Sequence, residues 1–119
     1  MGRLGQFSKD TIVVGHCLDI MSKLPDKCVD LIITDPPYGV GAGPWDNWDF
    51  KEAKLWVSEM MRVNRGSLYV FFPPKKHLAE LLSLLPDDLH ILAWCKNTGM
   101  LHKYAKEWAC IPHLKSPYI

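Results

Sequence analysis

The spacing of apolar residues changes period several times along the chain. Thr11 to Val14 is a short β-branched run that stops at Gly15 and predicts a strand. Cys17, Leu18, Ile20, Met21 and Leu24 recur at helical spacing up to Pro25, whose fixed φ and missing N–H end a helix. Val29 to Thr34 is nearly continuously apolar and β-branched, the pattern of a strand buried on both faces of a parallel sheet. Asp49 with Glu52 three residues on predicts a helix start in which each side chain caps the other's backbone. Ala53, Trp56, Val57, Met60 and Val63 then fall on one face, and Gly66 closes the segment. Ser67 to Phe72 is a second strong strand, broken by Pro73 and Pro74. Leu78, Leu81, Leu82 and Leu85 form the stripe of a third helix ending at Pro86. His90–Cys95 and Glu107–Ile111 are weaker strand candidates, and Met1 to Lys9 reads as a loose start. Strands alternating with helices predict an α/β fold with crossover connections.

Length and composition narrow the picture. A chain of 119 residues is one small domain, and 48% apolar residues suffice for a core. The net charge of +1 excludes a global polyanion-binding signature, so any nucleic-acid contact has to be local. The four cysteines, Cys17, Cys28, Cys95 and Cys110, form no CxxC pair and follow no signal-peptide pattern, which predicts reduced thiols in a cytoplasmic protein. No apolar stretch is long enough for a membrane span, so no membrane partner is expected.

The candidate chemistry lies at the end of the Val29–Thr34 strand, in Asp35-Pro36-Pro37-Tyr38. In open α/β sheets ligands sit beyond the carboxyl ends of the strands. Two prolines stiffen the turn and present carbonyl oxygens without competing N–H groups. A carboxylate, a fixed carbonyl and an aromatic face suit a planar heterocycle with an exocyclic amino group. Two acceptors holding that group's two hydrogens out of plane return its lone pair to the nitrogen, ready for an electrophile in line. A base extruded from a duplex regains on Tyr38 some of the stacking it loses, about 1–3 kcal/mol. Taken alone, Asp-Pro-Pro is also an ordinary turn after a strand.

The longer string VVGHCLDIMSKLPDKCVDLIITDPPYGV, residues 13 to 40, resembles the amino-methyltransferases of DNA. These methylate exocyclic amines of bases with S-adenosylmethionine and carry the signature [DNS]-P-P-[YFW]. The order of a G-x-C-L helix start, a Leu-Pro-Asp turn and VDLIITDPPY is similar to the class in which the catalytic motif comes first. WDNWDFKEAKLWVSEMMRVNRGSLYVFF and ILAWCKN are similar to it too, so the resemblance covers about Thr11 to Asn97. It implies a partial doubly wound, Rossmann-like sheet, with residues 1–119 as the N-terminal portion of a catalytic domain. Asp35 then accepts from the target amine, Pro36 offers its carbonyl, Pro37 stiffens the turn and Tyr38 stacks on the flipped base. His16, Cys17 and Asp35 are the positions implied for the cofactor, with no metal. An aspartate in the first motif position leans toward N6 of adenine over N4 of cytosine, in a restriction–modification or phage setting. Related families act on RNA bases, and a non-catalytic DNA-binding remnant is the reading from another class.

The sequence departs from that family at two places. His16 stands where the family has an aspartate that helps hold the cofactor's adenosine. The family's F-x-G-x-G cofactor loop has no match in Asn97 to Ile119, so the chain is expected to stop before that motif. Gly39 to Gly43 is the one glycine cluster, but it leads into Pro44-Trp45 and not into a helix, and so reads as a flexible loop. A second polypeptide completing the sheet, or a homo-oligomer through an unfinished sheet edge, is expected beside DNA as partner.

The remaining candidates have two readings each. Trp45, Asp46, Asn47 and Trp48 follow the motif closely and suit contact with the flipped base or the DNA backbone; one of the two tryptophans is expected to pack in the fold, and the other is open between packing and contact. Cys95, His102, Cys110 and His113 fit no zinc spacing and read as buried thiols and surface histidines. Lys75, Lys76 and His77 suit phosphate contact or a solvated helix start. From Lys96 onward four lysines face one acid, interleaved with Tyr104, Trp108 and Tyr118, as in a nucleic-acid track or an ordinary charged face.

Overall fold

The computed structural model describes residues 2–71, 77–94 and 109–114. A two-strand hairpin, β1 (Arg3–Leu4) and β2 (Phe7–Ser8), opens the chain. It turns at Gly5, whose φ of +57° is a left-handed conformation suited to glycine, and it corrects the expected loose start. Then follow α1 (Cys17–Met21), β3 (Val29–Thr34), α2 (Phe50–Val63), β4 (Asn64–Val70), α3 (Leu78–Leu84), β5 (Leu89–Trp94) and β6 (Ala109–Leu114). The main sheet has the order β3-β4-β6-β5. β3 and β4 are parallel and joined through α2, whereas β6 runs antiparallel to both β4 and β5.

The core lies on one face of this sheet. Val57 and Met60 of α2, Leu68 and Val70 of β4, Leu81 of α3 and Leu85 at its C-terminal end are all buried together. Met21 of α1 and Ile32 of β3 pack against them. Burying each such side chain contributes roughly 1.5–3 kcal/mol. The predicted stripe of α2 is the buried one, through Ala53, Val57, Met60 and Val63. Asp49 caps that helix by accepting from the N–H groups of Lys51 (2.8 Å) and Glu52 (3.4 Å).

Three expectations are corrected. Val29–Thr34 is buried on one face only: Ile32 points to the core, while Leu31 and Ile33 on the other face are 51% and 64% exposed. Its outer edge pairs with no strand among the described residues. The described residues form a mixed α/β sheet whose core face the helices cover. Thr11 to Val14 forms no strand and pairs with nothing in the sheets, and Ile12 and Val14 are 96% and 95% exposed. Gly66 does not close α2. It sits inside β4, where a Cβ would lie 1.9 Å from the Asp30 carbonyl oxygen, so the close approach of β3 and β4 requires glycine there.

Arg62, at the end of α2, anchors the turn that delivers β3. Its guanidinium donates to the carbonyls of Met21 (2.7 Å) and Leu24 (2.9 Å) and to the carboxylates of Glu59 (2.8 Å) and Asp26 (2.7 Å). Glu59 and then Asp26 raise its pKa further, so it is charged throughout. Lys75, Lys76, Cys95, Lys96, His102, Lys103, Tyr104, Lys106, Trp108, Lys115 and Tyr118 lie outside the described residues, and with them the zinc and basic-track expectations. Among the described residues no three His, Cys, Asp or Glu side chains gather into a metal site. Nor is any described helix long and apolar enough to cross a membrane.

Candidate active site

β3 ends at Thr34, whose carbonyl accepts from Phe71 N–H at 2.9 Å, and the chain then enters Asp35-Pro36-Pro37-Tyr38. The turn opens on a cleft of about 630 Å³. Asp35, Pro36 and Pro37 line it, and so do His16 and Cys17 from the start of α1. Its floor is apolar, with Met21, Ile32 and Met60 among the lining side chains, and Trp45, Trp48 and Trp56 supply aromatic surface. Asp49 and Glu52 add carboxylates to Asp35, so the polar part of the wall is predominantly anionic. Such a wall favours neutral or cationic ligands with hydrogen-bond donors.

Tyr38 is placed differently from the expectation. It does not line the cleft; its ring packs against the hydrophobic core and its hydroxyl donates to Asp35 Oδ1. Burial, and then that bond to a carboxylate, push its pKa well above the ordinary phenol value, so it remains a neutral donor. Any donor that reaches Asp35 from the cleft therefore competes with the Tyr38 hydroxyl for the same carboxylate.

His16 caps α1: its Nδ1 accepts from Leu18 N–H at 3.3 Å, and its Nε2 lies 3.4 Å from Glu52 Oε1. An acceptor Nδ1 puts the neutral ring's proton on Nε2, directed at Glu52. Glu52 thus does not return to the Asp49 backbone as a capping box would have it. It brings a carboxylate to His16 instead.

Asp46, a candidate in the sequence for contact with the base or the DNA backbone, instead organises the loop after the turn. It is only 5% exposed. Its Oδ1 accepts from Tyr38 N–H (2.7 Å) and Gly39 N–H (2.8 Å), and its Oδ2 from Val40 N–H (2.9 Å) and Ala42 N–H (2.9 Å). These four donors, Ala42 foremost, lower its pKa to about 2. Gly39 and Gly41 have φ of +65° and +81°, which lets successive N–H groups turn inward around the carboxylate. The glycine cluster is therefore a tied loop and not a flexible one. The available signal was an acid a few residues after two spaced glycines. Of the two tryptophans, Trp48 is the one that packs: it stacks on His77 with ring centroids 4.9 Å apart, meets Trp56 edge-on, and donates from Nε1 to Glu80 at 2.6 Å. Trp45 is 66% exposed on the cleft wall.

No family model matches the chain. Its sequence is similar to type II methyltransferases. It is 30% identical over 95 residues to type II methyltransferase M1.MboII of Moraxella bovis, across 71% of this chain and 36% of that one. It is 29% identical over 87 residues to M.HpaI of Haemophilus parainfluenzae, across 66% and 27%. It is 32% identical over 85 residues to M.BamHI of Bacillus amyloliquefaciens, across 58% and 19%. The matched stretch thus spans about a third or less of these relatives' lengths. Together the matches support a methyltransferase family for this chain.

Proposed function

We propose that this chain carries the base-activating part of an S-adenosylmethionine-dependent DNA methyltransferase acting on N6 of adenine. The observation that carries the reading is Asp35-Pro36-Pro37 at the carboxyl end of a parallel strand, opening on an apolar, tryptophan-walled cleft. The similarity to type II methyltransferases supports it. On this reading the described sheet is one part of a doubly wound one, and the DPPY-first order is that of the family. The open edge of β3 is where a second copy or a further polypeptide adds a strand. A monodisperse monomer by light scattering at high concentration would remove the second copy from this reading.

The Asp35 carboxylate and the Pro36 carbonyl accept the two hydrogens of the target amine, and the nitrogen's lone pair leaves the ring system. Bound S-adenosylmethionine supplies an electrophilic methyl group on a sulfonium sulfur. Methyl transfer to the nitrogen would release the cofactor as its neutral thioether, and the amine's surplus proton would pass through Asp35 to solvent. The cleft's residues suit this cofactor: indole and aliphatic surface for a purine, and the carboxylates of Glu52, Asp49 and Asp35 for cationic and hydroxyl groups. His16 and Glu52 together present the hydrogen-bonding pair on that side. Tyr38 leaves Asp35 when the amine arrives, and for its ring to lie against the base it has also to leave its place against the core.

The test is transfer of a labelled methyl group from the cofactor to DNA, with the product base identified by mass. Transfer to adenine N6 that falls at least about 100-fold in Asp35→Ala is the expected result. Transfer unchanged by Asp35→Ala removes the carboxylate from the mechanism. N4-methylcytosine, or preferential methylation of competing RNA, would instead select the related amino-methyltransferase reactions.

A further inference from the structure

We propose that Asp46 is a positioning residue for this reaction, holding the Pro36–Tyr38 turn so that the Asp35 carboxylate and the Pro36 carbonyl converge on one amine. The inference rests on the reading under Proposed function. The backbone is tied at Thr34 by the bond from Phe71 N–H. Pro36 and Pro37 have no N–H to anchor the next two residues, and their φ angles are fixed by their rings. The next backbone donor is that of Tyr38, and its acceptor is Asp46 Oδ1 at 2.7 Å. Few torsions remain between these two ties. The direction of the Pro36 carbonyl is therefore set by where Asp46 holds the Tyr38 nitrogen.

The acceptor has to be a carboxylate. Both oxygens of Asp46 receive two N–H groups each. An asparagine of the same size turns one acceptor into an NH2 group facing two N–H donors, which leaves buried groups unpaired. Water is not a ready substitute at a side chain this enclosed. The loop is braced from a second direction as well. A Cβ on Gly39 would lie 2.8 Å from the Trp48 Cβ, and Trp48 is fixed on His77 and Glu80 of the third helical segment. Asp46 thus ties the reactive turn to its own loop, which Trp48 braces on α3, and does so without lining the cleft itself.

The experiment compares the intact wild-type protein with Asp46→Asn. Single-turnover methyl transfer is measured per cofactor site, the sites being counted by calorimetry, and amide exchange is followed residue by residue. A misplacement of about 1 Å costs on the order of 100-fold in rate. The single-turnover rate is therefore expected to fall roughly 100-fold, with KM for DNA and cofactor changed less than about twofold. Exchange should accelerate at Tyr38, Gly39, Val40 and Ala42 and stay unchanged in α2 and β4. A rate per site within threefold of wild type, or a loss carried by KM, overturns the proposal. A wild-type protein that transfers no methyl group sinks the functional reading instead. Amide exchange then decides the tie alone: unchanged protection of the four amides in Asp46→Asn overturns it, and their selective exposure supports it.

Discussion

Two segments invert what their compositions promise. Residues 38–46 hold three glycines and a proline, the composition of a loose loop, yet a buried carboxylate gathers four of their N–H groups. Thr11 to Val14 is β-branched, the composition of a strand, yet it joins no sheet and leaves Ile12 almost fully exposed. Order follows from where backbone groups find partners, not from local propensity. The glycine loop carries its own acceptor in Asp46. The aliphatic segment needs a strand from elsewhere, and none of the described residues supplies one.

The largest expected effect lies in the core on which the tied loop leans. Leu68 is fully buried beneath α2 and α3. Leu68→Ala is expected to cost about 2–5 kcal/mol in urea unfolding. A loss below about 1 kcal/mol would mean that the β4 core collapses around the gap, and the contrast between packed and unpartnered segments would blur.

Gly39→Ala probes the tied loop directly. The backbone there has φ of +65°, which costs a residue with a Cβ roughly 1–2 kcal/mol. The added methyl also meets Trp48. The expected outcome is a stability loss of at least that size, together with quicker exchange at the four amides. An unchanged melt would show that the loop adopts another conformation at little cost.

Much of the frame was legible in the sequence because its signals are local. The α2 stripe, the Asp49 cap and the strand before Asp35 each follow from residues a few positions apart. The partnership of strands was not legible. Gly66 looked like a terminator, but its role is set by the Asp30 carbonyl 36 residues upstream. The two-faced burial expected of β3 depended on a layer that the described residues do not form. At the site, the Asp35-Pro36-Pro37 turn was readable from its stiffness and its place at a strand end. Asp46, Glu52 and the packing of Tyr38 were not, since each depends on a side chain meeting backbone or a second helix.

Acid sharpens the comparison at the loop. Asp46 in the folded protein has a pKa of about 2, below its ordinary 3.8. A depressed pKa contributes stability that is complete above the unfolded value, and it is lost as pH falls through the folded one. Asp30 and Glu59 are also lowered, by Arg65 and Arg62 respectively, so wild-type stability alone does not isolate the loop. The difference between wild type and Asp46→Asn does. It should be constant above about pH 5 and shrink between about pH 4 and pH 2. A difference independent of pH over that range would mean that the carboxylate's charge is not what gathers the N–H groups.

The smallest effect belongs to the other segment. Ile12 and Val14 are 96% and 95% exposed, so truncating either removes almost no buried apolar surface. Ile12→Thr, which keeps the β-branch, is expected to change unfolding free energy by less than about 0.5 kcal/mol at dilute protein. Chemical denaturation at low concentration checks this, and repeating it at high concentration tests whether contacts between molecules give the segment a partner. A loss above about 1 kcal/mol at both concentrations would place Ile12 in an intramolecular core and end the contrast with the glycine loop. A loss only at high concentration would show that another molecule covers the segment, and the cost would then measure that contact and not the fold of the single chain.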